Sequence, residues 1–275
     1  MTGMRRFWCA RSAYERTLSA QCLRNDLALP GSMTEARIEL RLLGTLALTG
    51  ADGREVAAVL AQPKRVALLA YLAVARPYGF HRRDTLLGLF WPELDQPHAR
   101  GALNRAVYFL RGALGEAAIV SRGAEELAAA ADRLWCDVRA FDDALTAEQL
   151  QSALELYRGD LLVGFYVDGA PEFEHWLAEE RSALRARAAG AARALAARHE
   201  TGGNFTPAIG WARRAAVYTP DDERALRRLM TLLEKAGDRA GALRAYEAFA
   251  ARLAAELGAR PSAETRALVE RLRTP

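Results

Sequence analysis

Residues 98–115 read HARGALNRAVYFLRGALG. Wound at roughly 100° per residue, Leu103, Val107, Leu110 and Leu114 line one narrow face, with Ala99 and Ala106 on its shoulder. Arg100, Asn104, Tyr108 and Arg111 fall on a neighbouring arc roughly 80° wide, and Arg105 lies a little beyond it. One face requires a core, and the other carries long hydrogen-bonding side chains. Two readings fit the stretch alone: a recognition helix held by a small domain and inserted in a DNA groove, or a surface helix with solvated arginines. Phe109, opposite the apolar face, suits neither and is expected to pack on a neighbouring element.

Moving outward, the flanking elements favour the first reading. Upstream, Gln62-Pro63 opens an apolar helix, KRVALLAYLAVA, with proline in the first turn where its missing N–H is not needed. Arg76-Pro77-Tyr78-Gly79 ends it, a second helix is expected over His81–Phe90, and Trp91-Pro92 closes that one. Before them, Ile38, Leu40 and Leu42 alternate with Glu39, Arg41 and Leu43 in strand periodicity, a second pass follows through Leu48, and Val56–Leu60 is expected as a further short strand. Downstream, Ala118–Ser121, a turn at Arg122-Gly123 and a return ending at Leu134–Val138 are expected as a hairpin. Strands, three helices and a hairpin spell a winged helix-turn-helix over residues 33–137.

From residue 138 to 275 the pattern is helical throughout, with breaks at Gly202-Gly203, Thr219-Pro220, Gly237-Asp238 and Gly258. Ala208 opens AIGWARRAA, and 34 residues later Ala242 opens ALRAYEAFA, the tetratricopeptide period. The fold class expected is mainly α: an α+β winged helix-turn-helix followed by an all-α tetratricopeptide-like array. Phe173, Trp176, Trp211, Tyr218, Tyr246 and Phe249 read as core between paired helices. Residues 1–32 are basic without an apolar segment and read as a leader, disordered or arising from an upstream start.

With 51% hydrophobic and 26% charged residues the chain is of globular composition. Its net charge of +4 is no nucleic-acid signature in itself, but residues 62–112 hold eight basic groups against three acidic ones. Cys9, Cys22 and Cys136 are odd in number and widely spaced, which argues against a disulfide framework and a structural zinc site. His81, His98, His175 and His199 form no ligand or triad spacing, and no GxxxxGK[ST] run occurs. Neither an enzyme nor a cofactor is expected, and no apolar run reaches the ~20 residues of a membrane span, so a cytoplasmic location fits.

The run 62–115, with Gln62-Pro63-Lys64-Arg65, Trp91-Pro92 and Ala99-Arg100 through Leu110-Arg111, resembles the OmpR-type winged helix of antibiotic-regulatory (SARP-like) activators. Gly159-Asp160-Leu161-Leu162 and Leu257-Gly258 with Pro261-Ser262 resemble the bacterial transcriptional activator domain that such proteins carry. The resemblance covers about residues 37–273. It implies a DNA-binding activator working as a homodimer on promoter repeats in double-stranded DNA, with RNA polymerase as a partner. It further implies that the Arg100–Arg111 face enters the major groove and that the hairpin at Arg122 is the wing.

Arg100, Asn104, Tyr108 and Arg111 are therefore the base-contact candidates, since arginine bridges guanine and asparagine reads adenine. Arg105, Arg122, Lys64, Arg65, His81, Arg82 and Arg83 are candidates for the phosphate backbone, five of them at helix starts where free N–H groups favour anions. Two departures weaken the match: this helix has three arginines around Asn104, Ala106, Tyr108 and Phe109, and Glu125-Glu126 follow the wing turn. They keep a rival open, a tetratricopeptide-like adaptor with a vestigial winged helix that does not bind DNA.

Overall fold

A computed structural model of the protein describes residues 37–274. The expected leader lies outside them. The described part is mainly α, with two small sheets near its start.

Strand β1 (Ile38–Arg41) is the middle of the first sheet. It runs antiparallel to β2 (Ala47–Thr49), Leu40 opposite Leu48, and parallel to β6 (Leu134–Cys136), Leu40 opposite Cys136. The alternation seen in the sequence places Ile38, Leu40 and Leu42 in the core. The strand expected at Val56–Leu60 is instead the short helix α1 (Ala57–Leu60). A single bridge, Thr49 to Glu55, begins a further strand, and then two alanines, poor strand formers and the best helix formers, turn the chain so that Val59 is buried.

Helix α2 (Pro63–Val74) is buried from Val66 to Val74 and forms the axis of the first half. A two-residue strand, β3 (His81–Arg82), precedes α3 (Arg83–Phe90), where the sequence suggested one continuous helix. Helix α4 (Gln96–Leu114) starts two residues before His98 because the Asp95 carboxylate caps it, accepting from the His98 N–H at 3.0 Å. The wing hairpin joins β4 (Ile119–Arg122) to β5 (Glu126–Ala129), with Gly123 at positive φ in the turn. The expected return at Leu134–Val138 is thus corrected: β5 takes that place, and β6 leaves to pair with β1. Strand β3 adds to the other edge of β5, His81 opposite Leu127, giving the order β3-β5-β4. Helix, strand, helix, helix and two wing strands make up a winged helix-turn-helix.

Beyond β6 the chain is helical: α5 (Asp137–Thr146), α6 (Leu150–Leu156), α7 (Pro171–Thr201), α8 (Phe205–Tyr218), α9 (Glu223–Lys235), α10 (Arg239–Leu257) and α11 (Ala263–Arg273). Helices α8 and α10 start 34 residues apart, in the period read from the sequence. Their apolar faces, with α9 and α11, form a second core around Met230, Leu233 and Phe249.

The first core does not stop at residue 137. It continues from Ile38 through Leu195 to Ala215. Phe173 and Trp176 on α7 lie 5.2 Å from the Phe90 ring and 4.8 Å from the Tyr71 ring. The buried Asp137 carboxylate accepts from the N–H groups of Leu42 and Leu43, each at 2.9 Å, while burial pushes its pKa up. The chain after β1 also meets the loop before α7: Leu162 N–H donates to the Leu42 carbonyl at 2.8 Å. There Gly44, at φ +85°, lies so close to Gly159 that a Cβ on Gly159 would sit 2.9 Å from the Gly44 Cα. Both positions require glycine for that approach.

Candidate nucleic-acid interface

Helix α4 is held by the burial of Ala99, Leu103, Ala106, Val107 and Leu110, with Leu114 half-buried at its end. That anchoring leaves the arc of Arg100, Asn104, Arg105 and Tyr108 exposed. Tyr108 keeps 79% of its surface in solvent, which is unusual for a large ring on a well-ordered helix. Phe109 is half-buried and covered by the Arg65 guanidinium, 3.5 Å above the ring centre.

The N-terminus of α3, the middle of α4 and the wing tip enclose a cleft of about 320 Å³, lined by Arg83, Arg100, Asn104 and Glu125 among others. Arg83 is its organiser. Its Nη1 donates to Asn104 Oδ1 at 2.8 Å, and its backbone N–H donates to the Glu125 carbonyl at 2.8 Å. Burial, and then the nearby Arg111, lower its pKa. Arg100 approaches Asp84 at 3.5 Å with both groups half in solvent, a pair of little energetic weight.

Arg111 is placed differently from its helical neighbours. Its Nε donates to the Ile119 carbonyl and its Nη2 to Ser121 Oγ, both at 2.9 Å, so the guanidinium fastens strand β4 of the wing to α4. Arg122 forms an ion pair with Glu126 and lies 4.5 Å from the Phe80 ring centre. That pairing, with Arg82 close by, draws the Glu126 pKa down, and Glu125 faces Arg83. The two wing acids therefore stand beside arginines.

Among the remaining candidates, Arg82 on β3 is exposed, and neither it nor Arg105 forms an ion pair among the described residues. Lys64 reaches Glu93 at 3.3 Å and lies over Trp91, so it is not part of the cleft. His81 is half-buried, its ring 5.2 Å from that of Tyr71 and its Nε2 without a partner. Burial and the charge of Arg139 lower its pKa. The structure thus groups Arg82, Arg83, Arg100, Asn104, Arg111 and Arg122 around one helix and its wing, and leaves Lys64 and His81 in other surroundings. Phe80, which supports Arg122, was not singled out in the sequence; its place before a basic pair was the available signal. Among the described residues no three His, Cys, Asp or Glu side chains are grouped to hold a metal ion, and no helix is long and apolar enough to cross a membrane.

Comparison with known proteins bears on the second half most directly. The model of the bacterial transcriptional activator domain matches residues 124–273. No curated protein matches the chain. Among solved structures, Mycobacterium tuberculosis EmbR in complex with a low affinity phosphopeptide is similar at a TM-score of 0.53 and 24% identity. The alignment covers 86% of this chain and 65% of EmbR, so this chain spans less than two thirds of that one. At such identity the likeness carries the fold. The family match covers more than half of the sequence, and the chain belongs to the bacterial transcriptional activator domain family.

Proposed function

We propose that this regulator binds double-stranded DNA sequence-specifically, with α4 in the major groove and the β4–β5 wing on the flanking backbone, and that it activates transcription in the cytoplasm. The observation that carries the reading is the exposed arc Arg100, Asn104, Arg105 and Tyr108 on a helix whose other side is locked in the core and whose flank is a wing. The action is stoichiometric rather than catalytic. Arginines anchor phosphates, α4 reads base edges, and the repeat helices supply contacts to a second copy on repeated sites or to RNA polymerase.

A salt series tests it. Fluorescence anisotropy on labelled promoter fragments should give a log–log slope near −0.9 for each phosphate neutralised. The adaptor reading has one observation in its favour: Arg83, Arg111 and Arg122 are engaged within the protein, which leaves few cations for phosphate. A weak response with no salt slope is the outcome that selects it.

A further inference from the structure

Helices α8, α9 and α10 enclose a groove of about 580 Å³. Its floor is Leu226 and Leu229 from α9 and Phe249 from α10. Ala216, Ala245 and Ala248 line it too, and their small side chains keep it open. Val217, at its edge, has 73% of its surface in water.

The rim is basic. Arg213 is exposed and forms no ion pair among the described residues. Arg244 approaches Asp238 at 3.8 Å while 70% of its side chain stays in solvent. Arg252 donates to the Pro220 carbonyl and lies 5.2 Å from the Phe249 ring centre. The carboxylate in the lining, Asp222, is already committed. Its Oδ1 accepts from the Arg224 N–H to cap α9, and its Oδ2 faces Arg193 at 3.9 Å. An apolar floor under uncompensated positive charge selects for a ligand with apolar and anionic parts together.

We propose that this groove docks a short acidic peptide segment of a partner protein. One bulky apolar side chain sits on Leu226, Leu229 and Phe249, and carboxylates on either side of it meet Arg213 and Arg244. Charge complementarity argues for this occupant. A basic segment would oppose the rim, where Arg213, Arg244 and Arg252 face the single carboxylate of Asp222. The site uses none of the residues of the α4 face, so it stands or falls apart from DNA binding.

Random peptides displayed on phage and selected on the immobilised full-length chain test the proposal. The recovered sequences should place acidic residues on both sides of a large apolar one. With a fluorescein-labelled recovered peptide, Ala248→Trp, which fills the groove from an exposed position, should weaken binding about tenfold or more. The double variant Arg213→Glu with Arg244→Glu should do the same, and both variants should keep the wild-type thermal melt and promoter binding. Failure to recover peptides, recovery without acidic bias, or unchanged affinity in both variants overturns the proposal. So does a dimer in sedimentation that Ala248→Trp converts to monomer, because the groove then belongs to a second copy. If the DNA salt series is flat while acidic peptides still bind, the DNA reading alone fails.

Discussion

Arg100 and Arg111 lie on the same arc of α4, yet their side chains do different things. Arg100 projects into solvent beside a weak partner, whereas Arg111 holds a carbonyl and a hydroxyl of the wing strand. Arg100→Ala should weaken promoter binding by about 1–3 kcal/mol, the discrimination of a good base contact, and leave the melting temperature unchanged. Arg111→Ala should lower stability by about 1–2 kcal/mol, because two acceptors lose their donor, and should also weaken binding by loosening the wing. Anisotropy and thermal melts on both variants separate the roles. If Arg111→Ala melts like wild type, its fastening role is wrong. A second residue links stability to acidity. The folded protein holds His81 below its ordinary pKa, so as pH falls through about 6.5 the unfolded chain takes up the proton first and stability declines. Below the folded value the decline levels off. In urea titrations at several pH values, His81→Phe should lose less stability on acidification than wild type.

The anchoring of α4 is an effect of the whole element. Leu110 is fully buried among its core contacts, so Leu110→Ala should cost about 2–5 kcal/mol by urea denaturation and reduce DNA binding through loss of the folded helix. The two faces of α4, and the run of three helices, were legible because helical periodicity is a local property of the chain. The hairpin return was not. Strand β5 has only three buried apolar residues, Leu127, Ala128 and Ala129, after Glu126 and among other alanines, while Leu134, Trp135 and Cys136 look like the better strand. What separates them is the partner: β6 pairs with a strand nearly a hundred residues earlier, and no local pattern encodes that. The role of Arg111 was hidden for the same reason, since spacing places a side chain on an arc but does not say which acceptor the next element brings to it. Strand β3 is two residues long, below what alternation can reveal.

Across the whole molecule, the winged helix and the helical array share polar as well as apolar contacts. Asp142 on α5 binds Arg76 from the segment after α2 and Arg187 from α7, both at 2.6 Å, and accepts from the Tyr78 hydroxyl. Arg76 also reaches Glu180 at 3.1 Å. With its carboxylate mostly buried, Asp142→Ala should strand Arg187, leave Arg76 with Glu180 alone, and cost about 3 kcal/mol, measured as a lower urea midpoint. Because the network bridges both halves, the hydrogen-exchange protection of amides in α2 and in α7 should shift to lower urea together. Separate shifts would show that the halves unfold independently.

The position of β1 in the chain has a consequence for synthesis. Leu40 pairs with Cys136, Leu42 bonds to Leu162, and Gly44 packs on Gly159. The first apolar strand therefore leaves the ribosome well before any of these partners, and until they follow it has only β2 beside it while the helices are made. The three-stranded sheet cannot close until β6 has been made, so one edge of β1 stays open over roughly a hundred residues of synthesis, a natural target for chaperones.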